Sequence, residues 1–259
     1  MPSQLQHLRY SPAVSNSVMA VRPHTAMVLA AGFGVRMRPI TDRIPKPLVA
    51  VSGKPLLDHV LDKLAEAGVT RAIVNVHHLS EQIVTHVATR TEPKVLISDE
   101  REQILGTGGA VVKALPLLGN EPFFHLNADT MWIDGVRSNL ARLADAFDPD
   151  AMDILLLMAP TASSIGYKGA GDYAMGADGR LKKKREGQVV PFVYAGAAIM
   201  TPELFAGAPR GAFELPKAIF DKAEEKGRLF GLRLEGVWMH VGTPDAIDAA
   251  EQAILASMA

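Results

Sequence analysis

The residue types with the most chemical potential gather early in the chain. Gly32 and Gly34 follow an apolar run, Ala26 to Leu29, and the pair Ala30-Ala31. Arg36 and Arg38 come next, and Lys46 stands between Pro45 and Pro47. An apolar run that stops at small residues predicts a buried strand feeding a tight loop. Glycines let such a backbone approach a ligand and aim N–H groups at it. Cations beside the loop suit a polyphosphate. The pattern reads either as an ordinary strand-to-helix turn or as a nucleoside triphosphate site on Leu29, Ala30, Ala31, Gly32 and Gly34, with Arg36 and Lys46 as cations. Two better-known glycine loops are excluded. No Gly-x-x-x-x-Gly-Lys followed by Ser or Thr occurs, and the third glycine of Gly-x-Gly-x-x-Gly is Met37 here. Ser52 occupies the region where a dinucleotide site carries an acid for the ribose.

Further candidates lie downstream. Asp129, in His-Leu-Asn-Ala-Asp-Thr, follows an apolar run. A carboxylate at the end of a strand can hold a divalent cation against phosphate oxygens, although a loop Asp also serves as an ordinary turn residue. Leu105-Gly106-Thr107-Gly108-Gly109 is a second glycine loop entering a helix, with Glu100 just before it. Its backbone can read a base or close on a sugar, or can simply start the helix. Lys182, Lys183, Lys184 and Arg185 precede Glu186, a run that reads as a solvated turn or as a grip on a sugar phosphate. His77 and His78 are neighbours at a strand end, so their side chains diverge and do not chelate one ion. No serine on a strained turn points to Ser-His-Asp catalysis.

Strands and helices must alternate to bring these segments together. The spacing predicts a helix over 55–67 ending at Gly68, a strand over 71–76 and a helix over 79–89 capped by Ser80. A strand over 95–97, a short helix over 109–115 and a strand over 123–126 follow. That alternation implies a mainly parallel sheet with helices on both faces, and ligands beyond the carboxyl ends of its strands. The later half reads as strands over 154–158, 192–200, 229–234 and 237–241 and a helix over 216–225. Hairpins fill 160–190, where Asp178-Gly179 is a turn signal. A last helix over 244–257 is expected to be capped by Thr243 with Pro244 at its first position.

The chain has 259 residues, 48% of them hydrophobic, and a formal charge of −1. This gives ample core and no electrostatic reason to expect nucleic acid or an anionic membrane as partner. No apolar run reaches the roughly 18–20 residues of a spanning helix. The absence of cysteine excludes disulfides, thiolate metal sites and cysteine nucleophiles, and suits a cytoplasmic location. Residues 1–24 lack periodicity and read as a poorly ordered tail before one domain over 25–259.

The stretch Leu-Ala-Ala-Gly-Phe-Gly-Val-Arg-Met-Arg-Pro-Ile-Thr, continued by Pro-Lys-Pro-Leu-Val-Ala-Val-Ser-Gly-Lys-Pro, resembles the opening of the sugar-1-phosphate nucleotidyltransferases. The resemblance implies a nucleotide-diphospho-sugar transferase fold: an α/β, mainly parallel, Rossmann-like sheet with a small sugar-binding lobe. It implies transfer of a nucleotidyl group from an NTP to a sugar 1-phosphate, with Arg36, Lys46 and Asp129 catalytic. Asp129 stands where the family's Asn-Gly-Asp metal ligand stands, and Asn127 is assigned to the ribose or sugar. Thr107, Gly108 and Glu100 fall on the nucleotide pocket, and Glu186 and Gly196 on the sugar side. Two departures stand out. The family's Glu-Lys-Pro is Glu186-Gly187-Gln188 here, and the acid of its late Trp-x-Asp-x-Gly-Thr segment is His240. His240 reads as a ligand to a softer ion, as a phosphate contact or as the support of a metal-bound water, and the implied cofactor is Mg²⁺, with Mn²⁺ the alternative where the imidazole ligates. The short length and the Val-Gly-Thr-Pro ending look most like the uridylyltransferases of the family, which implies UTP as donor. Mannose 1-phosphate with GTP, glucose 1-phosphate with UTP or dTTP, and a non-catalytic sugar-nucleotide sensor remain alternatives. Small-molecule substrates are the expected partners, and a monomer or weak homo-oligomer the expected state.

Overall fold

The computed structural model describes residues 22–258, so the expected tail lies outside the described residues through position 21. The first strand, β1 (Thr25–Leu29), is followed by a small hairpin, β2 (Ala50–Val51) and β3 (Lys54–Pro55), and by α1 (Leu56–Glu66). Then come β4 (Arg71–Val76), α2 (Ser80–Val87), β5 (Lys94–Asp99), α3 (Gly106–Leu118), β6 (Phe123–Asn127), β7 (Thr130–Asp134) and α4 (Asn139–Ala146). The later half holds β8 (Ile154–Pro160), β9 (Tyr173–Met175), β10 (Leu181–Lys183), β11 (Phe192–Met200), α5 (Asp221–Glu225), β12 (Leu229–Arg233), β13 (Gly236–His240) and α6 (Asp245–Ser257).

The main sheet runs β10-β9-β11-β6-β1-β4-β5. β5, β4, β1 and β6 are mutually parallel, β11 lies antiparallel to β6, and β8 pairs antiparallel with β11 and parallel with β12. Alternation along β1 divides the core. Ala26 and Val28 face a cluster with Leu57, Leu61 and Leu64 of α1, Ile83 of α2 and Leu140 of α4. Met27 faces the opposite cluster, with Val111 and Ala114 of α3 and Ile219 and Phe220 before α5. Each fully buried Leu contributes about 2 kcal/mol, several times the helix-propensity differences among ordinary residues, so the two apolar clusters flanking the sheet set the architecture. Chain order reverses at β1, with β4 on one side and β6 on the other. The crevice at its carboxyl end is thus a topological switch point, where ligands bind in open α/β sheets.

Several local expectations change. Leu79, at φ 50°, is the N-cap of α2, and Ser80 is buried within the first turn without a capping bond. α3 begins at Gly106 rather than 109, because outside acceptors take up its first N–H groups: Gly108 N–H donates to Phe213 O (2.8 Å) and Thr107 N–H to Glu214 Oε2 (3.4 Å). Pro244 is itself the N-cap of α6, and Thr243 acts through its carbonyl, which accepts from Ala246 N–H (3.1 Å).

Candidate active site

A cavity of about 420 Å³ opens at the switch point. Leu29, Ala30, Ala31, Gly32, Gly34, Arg36, Lys46, Glu100, Thr107, Asn127 and Asp129 all line it. Asn127 ends β6 and Leu29 ends β1, and the two are register partners, so adjacent parallel strands deliver both loops to one edge.

The cationic corner is assembled by a fold-back of residues 34–46. Gly34 has φ +61°, and a Cβ there would lie 2.9 Å from Thr41 Cγ2 and 3.0 Å from Lys46 Cβ. Only glycine permits both that backbone and that approach. Thr41 Oγ1 donates to Gly34 O (2.9 Å), tying the ends of the fold-back. Lys46 opens a single 3₁₀ turn, Lys46–Leu48, set by the flanking prolines. Its ammonium reaches Asp129 Oδ2 at 2.5 Å, with the Lys side chain 11% and the Asp side chain 36% exposed. Arg38 is held by Asp42 (3.2 Å), whereas Arg36 is exposed and has no acidic partner among the described residues. Of the two arginines, Arg36 is the one open to a ligand.

His240, the last residue of β13, joins this corner. Burial holds its imidazole below the ordinary range, the charges of Arg36 and Lys46 push it the same way, and Asp129 opposes them. It is therefore a neutral nitrogen base at neutral pH. Gly242 lines the cavity, and a Cβ on it would come within 2.6 Å of His240 Nε2. Among the described residues no group of three or more His, Cys, Asp or Glu forms a self-contained metal cage.

A buried polar chain in the cavity lining joins the two glycine loops. Ala30 N–H donates to Asn75 Oδ1 (2.7 Å), Asn75 Nδ2 donates to Glu100 Oε1 (2.8 Å), and Leu105 N–H donates to Glu100 Oε2 (2.9 Å). Asn75 and Glu100 are 3% and 1% exposed. Beside them Thr107 Oγ1 donates to Glu214 Oε2 (2.6 Å) and accepts from Leu215 N–H (2.8 Å). Gly108 does not line the cavity. It lies under the Phe213 ring, where a Cβ would sit 2.1 Å from Cε2.

Toward β11 the strand bulges between Tyr194 and Ala198, where its pairing with β8 shifts register. Gly196 sits in that bulge at φ +80°, and a Cβ there would lie 3.0 Å from Asn127 Nδ2. The neighbouring Ala195 carbonyl accepts from Thr130 Oγ1 and from Trp238 Nε1 (3.1 Å), which fixes the bulge against β7 and β13. Glu186 is exposed in the turn after β10 and is not brought to the cavity. Lys183 pairs with Asp221 (2.7 Å) and Lys182 with Glu224 (3.7 Å), so these two lysines face the α5 side. Sequence reasoning missed Asn75, Glu214 and Gly242 as lining residues. An asparagine inside an apolar strand was the available signal for the first, since a buried amide needs partners.

The switch-point cavity, two glycine loops and a lysine–carboxylate pair define an α/β protein built to hold a phosphorylated nucleotide. Residues 25–174 match the nucleotidyl transferase family. An N-acetylmuramate alpha-1-phosphate uridylyltransferase of Caulobacter vibrioides is 44% identical over 237 residues, covering 90% of this chain and 98% of that protein. A protein of the same name from Neisseria meningitidis is 30% identical, covering 84% of this chain and 93% of its own length. Among solved structures, a UDP-glucose pyrophosphorylase complexed with UDP-glucose superposes with a TM-score of 0.74 at 18% identity, covering 90% of this chain and 98% of that one. The chain belongs to the nucleotidyl transferase family and, within it, to the sugar-1-phosphate nucleotidyltransferases.

Proposed function

We propose that this enzyme transfers UMP from UTP to N-acetylmuramate α-1-phosphate, giving the UDP-sugar and pyrophosphate. The observation that carries the chemistry is the Lys46–Asp129 contact of 2.5 Å beside the unpaired Arg36. The 44% identity to the Caulobacter uridylyltransferase, spread over 90% of the chain, supports the choice of substrates. N-acetylmuramate is a cell-wall sugar, so the product belongs to peptidoglycan recycling, in the cytoplasm where nucleotides and sugar phosphates are kept.

An oxygen of the sugar phosphate attacks the α-phosphorus of UTP in line. A new P–O bond forms as the bond from the α-phosphorus to the bridging oxygen breaks, and pyrophosphate leaves with the electron pair. A phosphate monoester dianion is already nucleophilic, so the protein supplies position and charge. Lys46 leaves Asp129 to bridge the α-phosphate and the incoming phosphate. Arg36 neutralises the β- and γ-phosphates as charge builds on the leaving group. Asn127, which lines the cavity with the Gly196 bulge packed against it, receives the sugar. Asp129 and His240 would hold the divalent cation, which when bound neutralises phosphate charge. The donor set fits: Asp129 is half-open to solvent, the imidazole is neutral, and Mg²⁺ or Mn²⁺ sites of this kind take most of their ligands from water and phosphate.

The test is pyrophosphate release across UTP, GTP and dTTP, with the 1-phosphates of N-acetylmuramate, glucose and mannose, in Mg²⁺ or Mn²⁺. Highest kcat/KM for UTP with N-acetylmuramate 1-phosphate supports the reading. Preference for GTP with mannose 1-phosphate overturns the substrates, and no turnover with any pair overturns the activity.

A further inference from the structure

We propose that Asn75 and Glu100 act as a clip that sets the distance between the two glycine loops, which makes Asn75 a positioning residue for nucleotide binding. The proposal rests on the functional reading above and adds to it a residue outside the reacting groups.

The geometry gives the clip a direction. Asn75 stands on β4, between β1 and β5, the strands that feed the two loops. Its carbonyl oxygen accepts from Ala30 N–H in the first loop, and its amide nitrogen donates to Glu100 Oε1. Glu100 Oε2 accepts from Leu105 N–H at the mouth of the second loop. The Glu100 backbone is pinned too, by N–H to Val76 O (2.9 Å) and by its carbonyl against His77 Nδ1 (2.7 Å). Every bond in the chain is short, and both side chains are buried. A buried amide or carboxylate is costly unless its polar atoms are paired, so breaking one bond strands atoms at the next.

That direction makes the clip chemically specific. Glu100 must accept twice, and Asn75 must accept from Ala30 while donating to Glu100. In Glu100→Gln one acceptor becomes an NH₂ that faces the Asn75 NH₂ or the Leu105 N–H, and flipping Asn75 to relieve it opposes the Ala30 N–H. In Asn75→Asp two carboxylates face each other. The exchange Asn75→Asp with Glu100→Gln restores every bond: Asp accepts from Ala30 N–H and from the new glutamine amide, whose oxygen accepts from Leu105 N–H. The net charge is unchanged.

The experiment measures KM for UTP, kcat and Tm for the wild type, both single variants and the exchange variant. Each single variant is expected to raise KM for UTP about tenfold or more, with a smaller change in kcat. The exchange variant is expected to return KM to within about threefold of wild type. If the singles fail to fold while the exchange variant folds and works, the proposal stands. It is overturned if the singles keep the wild-type KM, or if the exchange variant does not fold. It is equally overturned if the exchange variant folds with wild-type Tm but stays as impaired as the worse single, because Glu100 would then contact the nucleotide directly as a carboxylate. Failure of the functional reading is separate, since it shows in the wild type as absent UTP turnover. The clip is then read from UTP binding by calorimetry on the same four proteins, and the same rescue pattern decides it.

Discussion

His125 offers a prediction whose size follows from where it sits. It lies on β6, the strand that ends in Asn127 and leads to Asp129, and it is 1% exposed. Nδ1 is 3.2 Å from the Tyr194 hydroxyl, and Nε2 has no hydrogen-bond partner among the described residues. Burial drives the imidazole from its ordinary value of 6.5 down to about 4. Between those values the unfolded chain binds a proton that the folded protein refuses. Stability is therefore full above about pH 6.5 and declines as pH falls toward 4. At about 1.4 kcal/mol per pH unit of that gap, the complete loss is about 3 kcal/mol, of which about 2 kcal/mol has gone by pH 5. Domains are stable by roughly 5–15 kcal/mol, so this is a substantial share. Urea unfolding of the wild type and His125→Phe at pH 7.5, 6.5 and 5 measures it. The variant is expected to lose about 2 kcal/mol less than the wild type over that range. His59 and His240, also lowered mainly by burial, leave a residual slope in both proteins. A His125→Phe slope equal to that of the wild type would refute the reasoning.

Lys46→Met is expected to reduce kcat about 100- to 1,000-fold, as loss of other charge-stabilising donors does. Asp129 is 36% exposed and can be hydrated once alone, so the pair is worth only about 1 kcal/mol and Tm should fall by a few degrees at most. Retention of more than a third of kcat would sink Lys46 as a catalytic group. Gly196→Ala forces a side chain onto φ +80° and against Asn127. It should raise KM for the sugar phosphate several-fold while KM for UTP stays within about twofold; equal changes in both would argue against a sugar-side bulge. His240→Asp should move the preferred cation from Mn²⁺ toward Mg²⁺. An unchanged ratio of activities would remove His240 from the metal's surroundings. Activity appearing only in this variant would mark the natural protein as a sensor.

Much of the frame was legible because it is local. β11 is an almost wholly apolar run and β4 one interrupted by Asn75, and both appear at the expected bounds. Lys46 between two prolines and Asp129 after a strand were visible as types and positions, although their contact spans 83 residues. What escaped is mostly long-range. β7 is a short mixed stretch whose partner β13 lies about a hundred residues on, so its own pattern carried little signal. Glu214 is 107 residues from the Thr107 it binds. Gly108 looked like a ligand-facing glycine, yet the demand for a small residue comes from Phe213, which no local reading reveals. α4 was within reach: Ser138 caps it, and Leu140, Leu143 and Ala144 form its buried face.

The ammonium–carboxylate contact at the cavity mouth also bears on what the resting enzyme ignores. A lone phosphate that recruits Lys46 strands Asp129 without a counter-charge. A free divalent ion that recruits Asp129 strands Lys46 in the same way. Each intruder therefore gives one group a new partner and leaves the other to water, at a cost of about 1 kcal/mol. On the roles proposed for Lys46 and Asp129, a triphosphate arriving with its cation would offer both groups a new partner in one event. The pair would thus favour the combined arrival over either ion alone by about 1 kcal/mol, roughly a fivefold preference.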